Sequence, residues 1–173
     1  MKKIKFISWQ TLLILFVFYI LIFVFIAPNM NYPKQIPDKL FLSSAEKIYS
    51  FLSSYSAIEK QNYINAALKF DIIFPITNSL FLFVFASLIL NKITKSKLLS
   101  KLRYLPFVAL IFDFTENSIF IFQINNSNNF FHSLDSIAAL ATNIKWISFI
   151  LYTLLLLFTF LVFLFNSRKN LKN

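Results

Sequence analysis

The sequence predicts an all-α membrane protein: a bundle of four transmembrane helices with an outer amphipathic helix in the first connector. Three observations carry this. The 173-residue chain is 58% apolar and only 14% charged. Its Phe, Ile and Leu arrive in runs of about twenty residues, the length a helix needs to cross the hydrocarbon of a bilayer. Its seventeen Lys and Arg gather at the ends of those runs, where topology signals belong. Lipid offers no partner to unpaired backbone groups, so each run must be helical. The whole chain, residues 1–173, reads as one integral membrane domain.

The first span covers about residues 7–27, behind the basic start "MKKIK". A cleaved leader is the competing reading, but the apolar part is long for one and "IAPNM" lacks a small-x-small cleavage pattern. The first connector, about 28–65, begins with the proline-rich "PNMNYPKQIPDKL", an extended segment. From Ser43 onward, Ala45, Ile48, Tyr49 and Leu52 recur at i, i+3, i+4, i+7. That spacing predicts a short amphipathic helix on the outer membrane surface, capped by Ser43 or Ser44. The remaining spans cover about 66–90, 104–124 and 137–165, the last long enough to tilt or to project.

Charge gives the direction. Lys2, Lys3 and Lys5 precede the first span. Lys92, Lys95, Lys97, Lys101 and Arg103 fill the short loop 91–103, and Arg168, Lys169 and Lys172 follow the last span. The connector "QINNSNNFFHSLD" has no Lys or Arg. The positive-inside rule then puts both termini in the cytoplasm of a multi-pass protein of the cell (inner) membrane. The first connector holds four Lys against Asp38, Glu46 and Glu59, yet must lie outside; the short, strongly basic segments dominate the rule.

Absences restrict the chemistry. Without Cys there are no disulfides or thiolate ligands. Without Gly there is no P-loop, no dinucleotide fingerprint and no GxxxG pairing motif. One histidine, His132, excludes a bis-histidine haem or His-rich zinc site within the chain. No cofactor and no bound metal are expected. The net charge of +10 is explained by topology, so nucleic acid is not an expected partner. The expected partners are the bilayer and a small-molecule, proton or cation ligand.

That ligand is suggested by polar residues inside the spans. Asp71, Pro75 and Asn78 stand at i, i+4, i+7, on one helix face. Pro75 has no N–H, so the Asp71 carbonyl loses its helical partner. A carboxylate beside a free carbonyl suits a cation, water or a Lys; the plain alternative is a proline kink with a solvated Asp. In "FDFTEN", Asp113, Glu116 and Asn117 form a polar face at i, i+3, i+4. In "ATNIKW", Thr142 and Lys145 are three apart, with Ala138 one turn earlier, a small and polar face that another helix can approach. At ~1.5 Å of rise per residue, Lys145 and Glu116 lie about 12 Å below the outer helix ends, Asp113 about 16 Å and Asp71 about 8 Å. Three helices thus bring complementary charges to one level. A charge near mid-span costs about 2.5–3.5 kcal/mol on insertion scales, so these groups should face one another. Three acids against one base leave excess negative charge, which a retained proton or a bound cation would relieve.

The motifs DxxFP (Asp71, Pro75), LP (Pro106), DxxEN (Asp113, Glu116, Asn117) and TxxKW (Thr142, Lys145, Trp146) resemble those of a family of small, uncharacterised four-span bacterial integral membrane proteins. The resemblance covers about residues 63–173. It implies architecture and no activity. The family admits Gly freely, whereas this chain has none.

Three functions follow. The first is a site for a small molecule, proton or ion, because ionisable residues inside a span are functional candidates by default. The second is a membrane-embedded enzyme acting on a lipid or isoprenoid, with Asp113 or Glu116 as general acid and the Trp146 ring stabilising a cation. In that setting Asp71, Asp113 and Glu116 offer oxygens to a hard cation. The third is an accessory or scaffold subunit in which the charges are only a structural clasp between helices.

Overall fold

Ser8 starts the first helix. Its backbone is extended and its Oγ accepts the Thr11 N–H at 3.1 Å, which satisfies one orphan donor of the first turn. Helix α1 (Trp9–Leu21) continues through a π-helical stretch, Ile22–Ile26, and a 3-10 turn, Ala27–Asn29. The coordinates are a computed structural model and describe residues 6–33, 36–37, 41–42, 44–93, 97–126 and 131–170, without the side chains of 93–98 and 163–170. Lys2, Lys3, Lys5, Asp38, Ser43, Lys95 and Lys172, which entered the charge and capping readings, lie outside the described residues. So do the side chains of Lys97, Arg168 and Lys169.

Helix α2 (Ala45–Ser54) is the amphipathic helix of the first connector. Ser44 caps it, accepting the Lys47 N–H at 3.3 Å. Glu46 sits in its first turn. Its own backbone N–H, then the Ser44 hydroxyl, hold its carboxyl below the usual range. Ala45, Ile48 and Leu52 form the buried stripe. That stripe packs against protein: Ile48 and Leu52 join a cluster with Tyr55, Tyr63, Ala67, Phe120, Ile124, Ala138 and Ala139. An apolar stripe fits lipid and protein equally well, so spacing alone does not choose between them.

Helix α3 (Ala57–Ile93) begins nine residues before the span predicted from apolarity. The cause is a reciprocal cap. Glu59 Oε2 accepts from the Ser56 N–H at 2.9 Å and from the Ser56 hydroxyl at 2.8 Å, while the Glu59 N–H reaches Ser56 Oγ at 3.3 Å. This is the S-x-x-E box that opens helices. The helix runs unbroken through Pro75. A short helix α4 (Lys97–Lys101) and a 3-10 turn, Leu102–Tyr104, lead into helix α5 (Leu105–Asn125). Pro106 stands in the first turn of α5, where its missing N–H is harmless. Arg103 is buried at this corner. Its Nε donates to the Ser100 carbonyl and its Nη1 to Asn91 Oδ1 at 3.3 Å. Helix α6 (His132–Asn170) completes the bundle.

Among the described residues, four stretches are long and apolar enough to cross a membrane: Trp9–Asn29, Ala57–Lys92, Leu99–Asn125 and His132–Val162. Large apolar side chains cover the outside, among them Leu13, Phe25, Ile111 and Phe158. A water-soluble surface does not carry apolar area on this scale. The architecture is a multi-pass membrane helical bundle.

The longest interface is the antiparallel hairpin α5–α6. Ala138, Ala139, Ala141 and Thr142 are buried; small side chains allow close approach where other bundles use Gly. Helix α3 packs against both members of the hairpin. Helix α1 has its extended interface with α3 alone. In the best spanning window of α3, 33% of residues are buried, against 11% for α1, so α3 is central and α1 peripheral. Aromatic contacts bind the two: Phe16 and Tyr19 against Phe81, Tyr19 and Phe23 against Phe74, and Phe23 against Phe70.

Candidate functional site

The 3.6-residue period puts Asp113 and Glu116 one turn apart on α5. The antiparallel hairpin sets Lys145 of α6 against them. Lys145 Nζ lies 2.7 Å from Glu116 Oε2 and 3.2 Å from Asp113 Oδ1. The Glu116 side chain is fully buried, while those of Asp113 and Lys145 keep 15% and 12% exposure. That difference separates their roles. Glu116 anchors the ammonium from inside the helix interface. Asp113 and Lys145 border a cavity of about 570 Å³.

The cavity has four walls. Helix α3 supplies Phe74, Pro75, Asn78 and Ser79; α5 supplies Pro106, Ala109, Leu110 and Asp113; α6 supplies Lys145, Trp146, Phe149 and Tyr152. Helix α1 closes part of the fourth side with Phe16 and Tyr19. Two of the polar groups in these walls are tied to the protein. The Ser79 hydroxyl donates to the Pro106 carbonyl at 3.0 Å, and the Tyr152 hydroxyl to the Leu82 carbonyl at 2.5 Å. Asp113 and Lys145 are the charged residues of the lining.

The remaining sequence-predicted residues divide between this cavity and other places. Asn78 and Trp146 line it. Asn117 turns to α3 instead, where its Oδ1 accepts the Tyr63 hydroxyl at 3.1 Å in a buried contact. Thr142 is fully buried and its hydroxyl donates to the Ala138 carbonyl at 2.9 Å, within α6. Asp71 stands outside the cavity lining; its Oδ1 accepts the Tyr32 hydroxyl at 2.6 Å. Among the described residues, Asp71, Asp113 and Glu116 do not assemble into a three-ligand metal group.

Sequence reasoning gave no role to Tyr63, Tyr32 or Asp135. Asp135 is fully buried in the first turn of α6. For Tyr63 the Ser56–Glu59 cap signals a helix but not the pairing with Asn117. Tyr32 had no local signal.

Two carboxylates and one ammonium carry a formal charge of −1. In a medium of low dielectric that favours uptake of a proton or of one positive charge. The arrangement can exchange a proton between an acid facing the cavity and an amine, or hold a cation against Asp113. No family model, no curated protein and no solved structure matches the chain. The resemblance carried by DxxFP, DxxEN and TxxKW thus rests on those motifs.

Proposed function

We propose that the protein binds a small molecule, proton or ion at the Asp113–Glu116–Lys145 trio, within a multi-pass fold of the cell membrane whose termini are both cytoplasmic. The single observation behind this is that two members of the trio, Asp113 and Lys145, border a cavity. A clasp needs only to join two helices, and one buried in the α5–α6 interface would do so. Here Asp113 and Lys145 are turned partly out of that interface toward space a ligand can occupy.

The orientation is supported by the cationic end of the bundle. Lys92 Nζ sits 5.6 Å from the centroid of the Trp9 ring, within cation–π range, so the start of α1 and the end of α3 share a side. Lys101 and Arg103 follow in the same loop. That side is read as cytoplasmic, and the α2 end as external.

An enzyme acting on a membrane-dissolved lipid or isoprenoid is the second reading. It is favoured by Asp113 and Trp146 bordering one cavity, an acid beside a ring able to stabilise positive charge.

The test uses Lys145→Met and the double change Lys145→Met/Asp113→Asn. The single change leaves two buried acids without their base and lowers stability by about 3–5 kcal/mol, the usual cost of breaking a buried pair. The double change removes one acid and recovers part of that loss. Function, read as complementation of a deletion strain, is expected to be absent in both. A double variant that regains both stability and complementation would show the charges to be a structural clasp.

A further inference from the structure

We infer that the ligand is an amphiphile drawn laterally from the bilayer, with a cationic amine head at Asp113 and an apolar body along the cavity. This rests on the binding reading above and adds the class of ligand and its route.

The head follows from charge. Lys145 is already held by Glu116 and Asp113 at 2.7 and 3.2 Å. The trio as a whole is negative by one, so an incoming anion meets repulsion in a medium that screens poorly. One added positive charge neutralises the group. Trp146, next to Lys145 in sequence, gives the same end of the cavity an aromatic face, and cations are stabilised over such faces.

The body follows from the walls. Beyond the charged end, the lining is dominated by Phe, Tyr and Leu side chains. Two of its polar groups, on Ser79 and Tyr152, are spent on the protein's own carbonyls. From Lys145 to Leu156 the α6 wall extends about 16 Å, the length of a medium alkyl chain. A volume of 570 Å³ lies within the range that holds drug-sized ligands, about 300–1,000 Å³.

The route follows from α1. Every lining residue belongs to a stretch able to span the membrane. An opening between these helices therefore faces hydrocarbon. Helix α1 is seated on α3 and contributes Phe16 and Tyr19 to the lining, and its Leu12 shares a cluster with Phe107 of α5, so the side between α1 and α6 is the one left for lipid access.

The experiment uses the full chain carrying Trp9→Phe in phosphatidylcholine vesicles, so that Trp146 is the only indole. Three probes of equal chain length are compared at equal mole fraction: dodecyltrimethylammonium, dodecanol and dodecyl phosphate. Trp146 emission reports binding and the thermal midpoint reports stabilisation. The ammonium probe is expected to bind about tenfold more tightly than the alcohol, and the phosphate more weakly than either. Asp113→Asn should abolish the preference for ammonium. Because that change can also disturb folding, Ala109→Phe provides a second variant, which occupies cavity space and leaves the trio intact; it should block all three probes. Equal binding of the three probes, or preference for phosphate, overturns the inference. Methylammonium is added as a fourth probe of the head alone, and its binding with no response to any dodecyl probe overturns the inference as well. That last outcome leaves the ion-binding reading standing, whereas complementation by the Lys145→Met/Asp113→Asn double variant removes that reading itself.

Discussion

The residues of the trio were legible because their spacing is local. Asp113 and Glu116 announce a shared face by standing three apart, and Lys145 falls at a matching depth on the next helix. Tyr63 and Tyr32 were not legible, for the opposite reason. Tyr63 meets Asn117 across 54 residues of sequence and Tyr32 meets Asp71 across 39. No periodicity encodes such pairs; they exist only once the helices have packed. The Tyr63 bond nevertheless carries weight, since both partners are buried. Tyr63→Phe removes the donor to a buried amide oxygen and should cost about 1–3 kcal/mol. The same change at Tyr104, which is half exposed, should be nearly neutral. Thermal unfolding of the two variants in one detergent checks the contrast.

Among the elements, α2 shows what a hydrophobic period can and cannot convey. Its existence and three of its four apolar positions follow from the i, i+3, i+4, i+7 pattern: Ala45, Ile48 and Leu52 are buried, Tyr49 only partly. Its partner does not, because bilayer and bundle offer the same apolar surroundings. Similarly, the start of α3 escaped a reading based on apolarity. Its first two turns, "AIEKQNYIN", are polar, and the signal there was the S-x-x-E box rather than hydropathy. The placement of α2 over the bundle has a measurable effect. Leu52 is 3% exposed within the shared cluster, so Leu52→Ala should lose about 2–5 kcal/mol in a soluble-style core penalty. A helix lying only on lipid would lose much less global stability from that truncation. Unfolding midpoints of Leu52→Ala beside Ser50→Ala, an exposed position on the same helix, distinguish the two.

For the whole molecule, the number of spans and their order were plain in the sequence, while the cavity was not. A cavity is a mismatch between facing side chains, and four separate amphipathic readings cannot reveal it. Topology remains open to direct measurement. The chain has no Cys, so each introduced thiol is the only one. Ser50→Cys on α2 and Lys101→Cys on α4 are separated by a single span, α3, and both positions are exposed. They should react with a membrane-impermeant reagent from opposite sides, Ser50→Cys in intact cells and Lys101→Cys only after permeabilisation. Labelling of both from one side would contradict a membrane-crossing α3.

The confinement of the trio to the α5–α6 hairpin bears on how the chain enters the membrane during synthesis. The span containing α5 has the lowest mean hydropathy of the four, 1.5 against 2.8, 2.2 and 2.0. Two acids lie within it, each worth about 2.5–3.5 kcal/mol against partition. Their counter-charge arrives only with the following helix. Helix α5 should therefore linger at the translocation channel until α6 emerges, and the two should partition together, with Lys145 compensating one of the two acidic charges. In a glycosylation-mapping assay, α5 followed by native α6 should insert more efficiently than α5 alone. Lys145→Met should remove much of that gain, although it makes α6 itself more apolar. Equal insertion in all three cases would mean that α5 enters unaided and that the ion pairs form only afterwards.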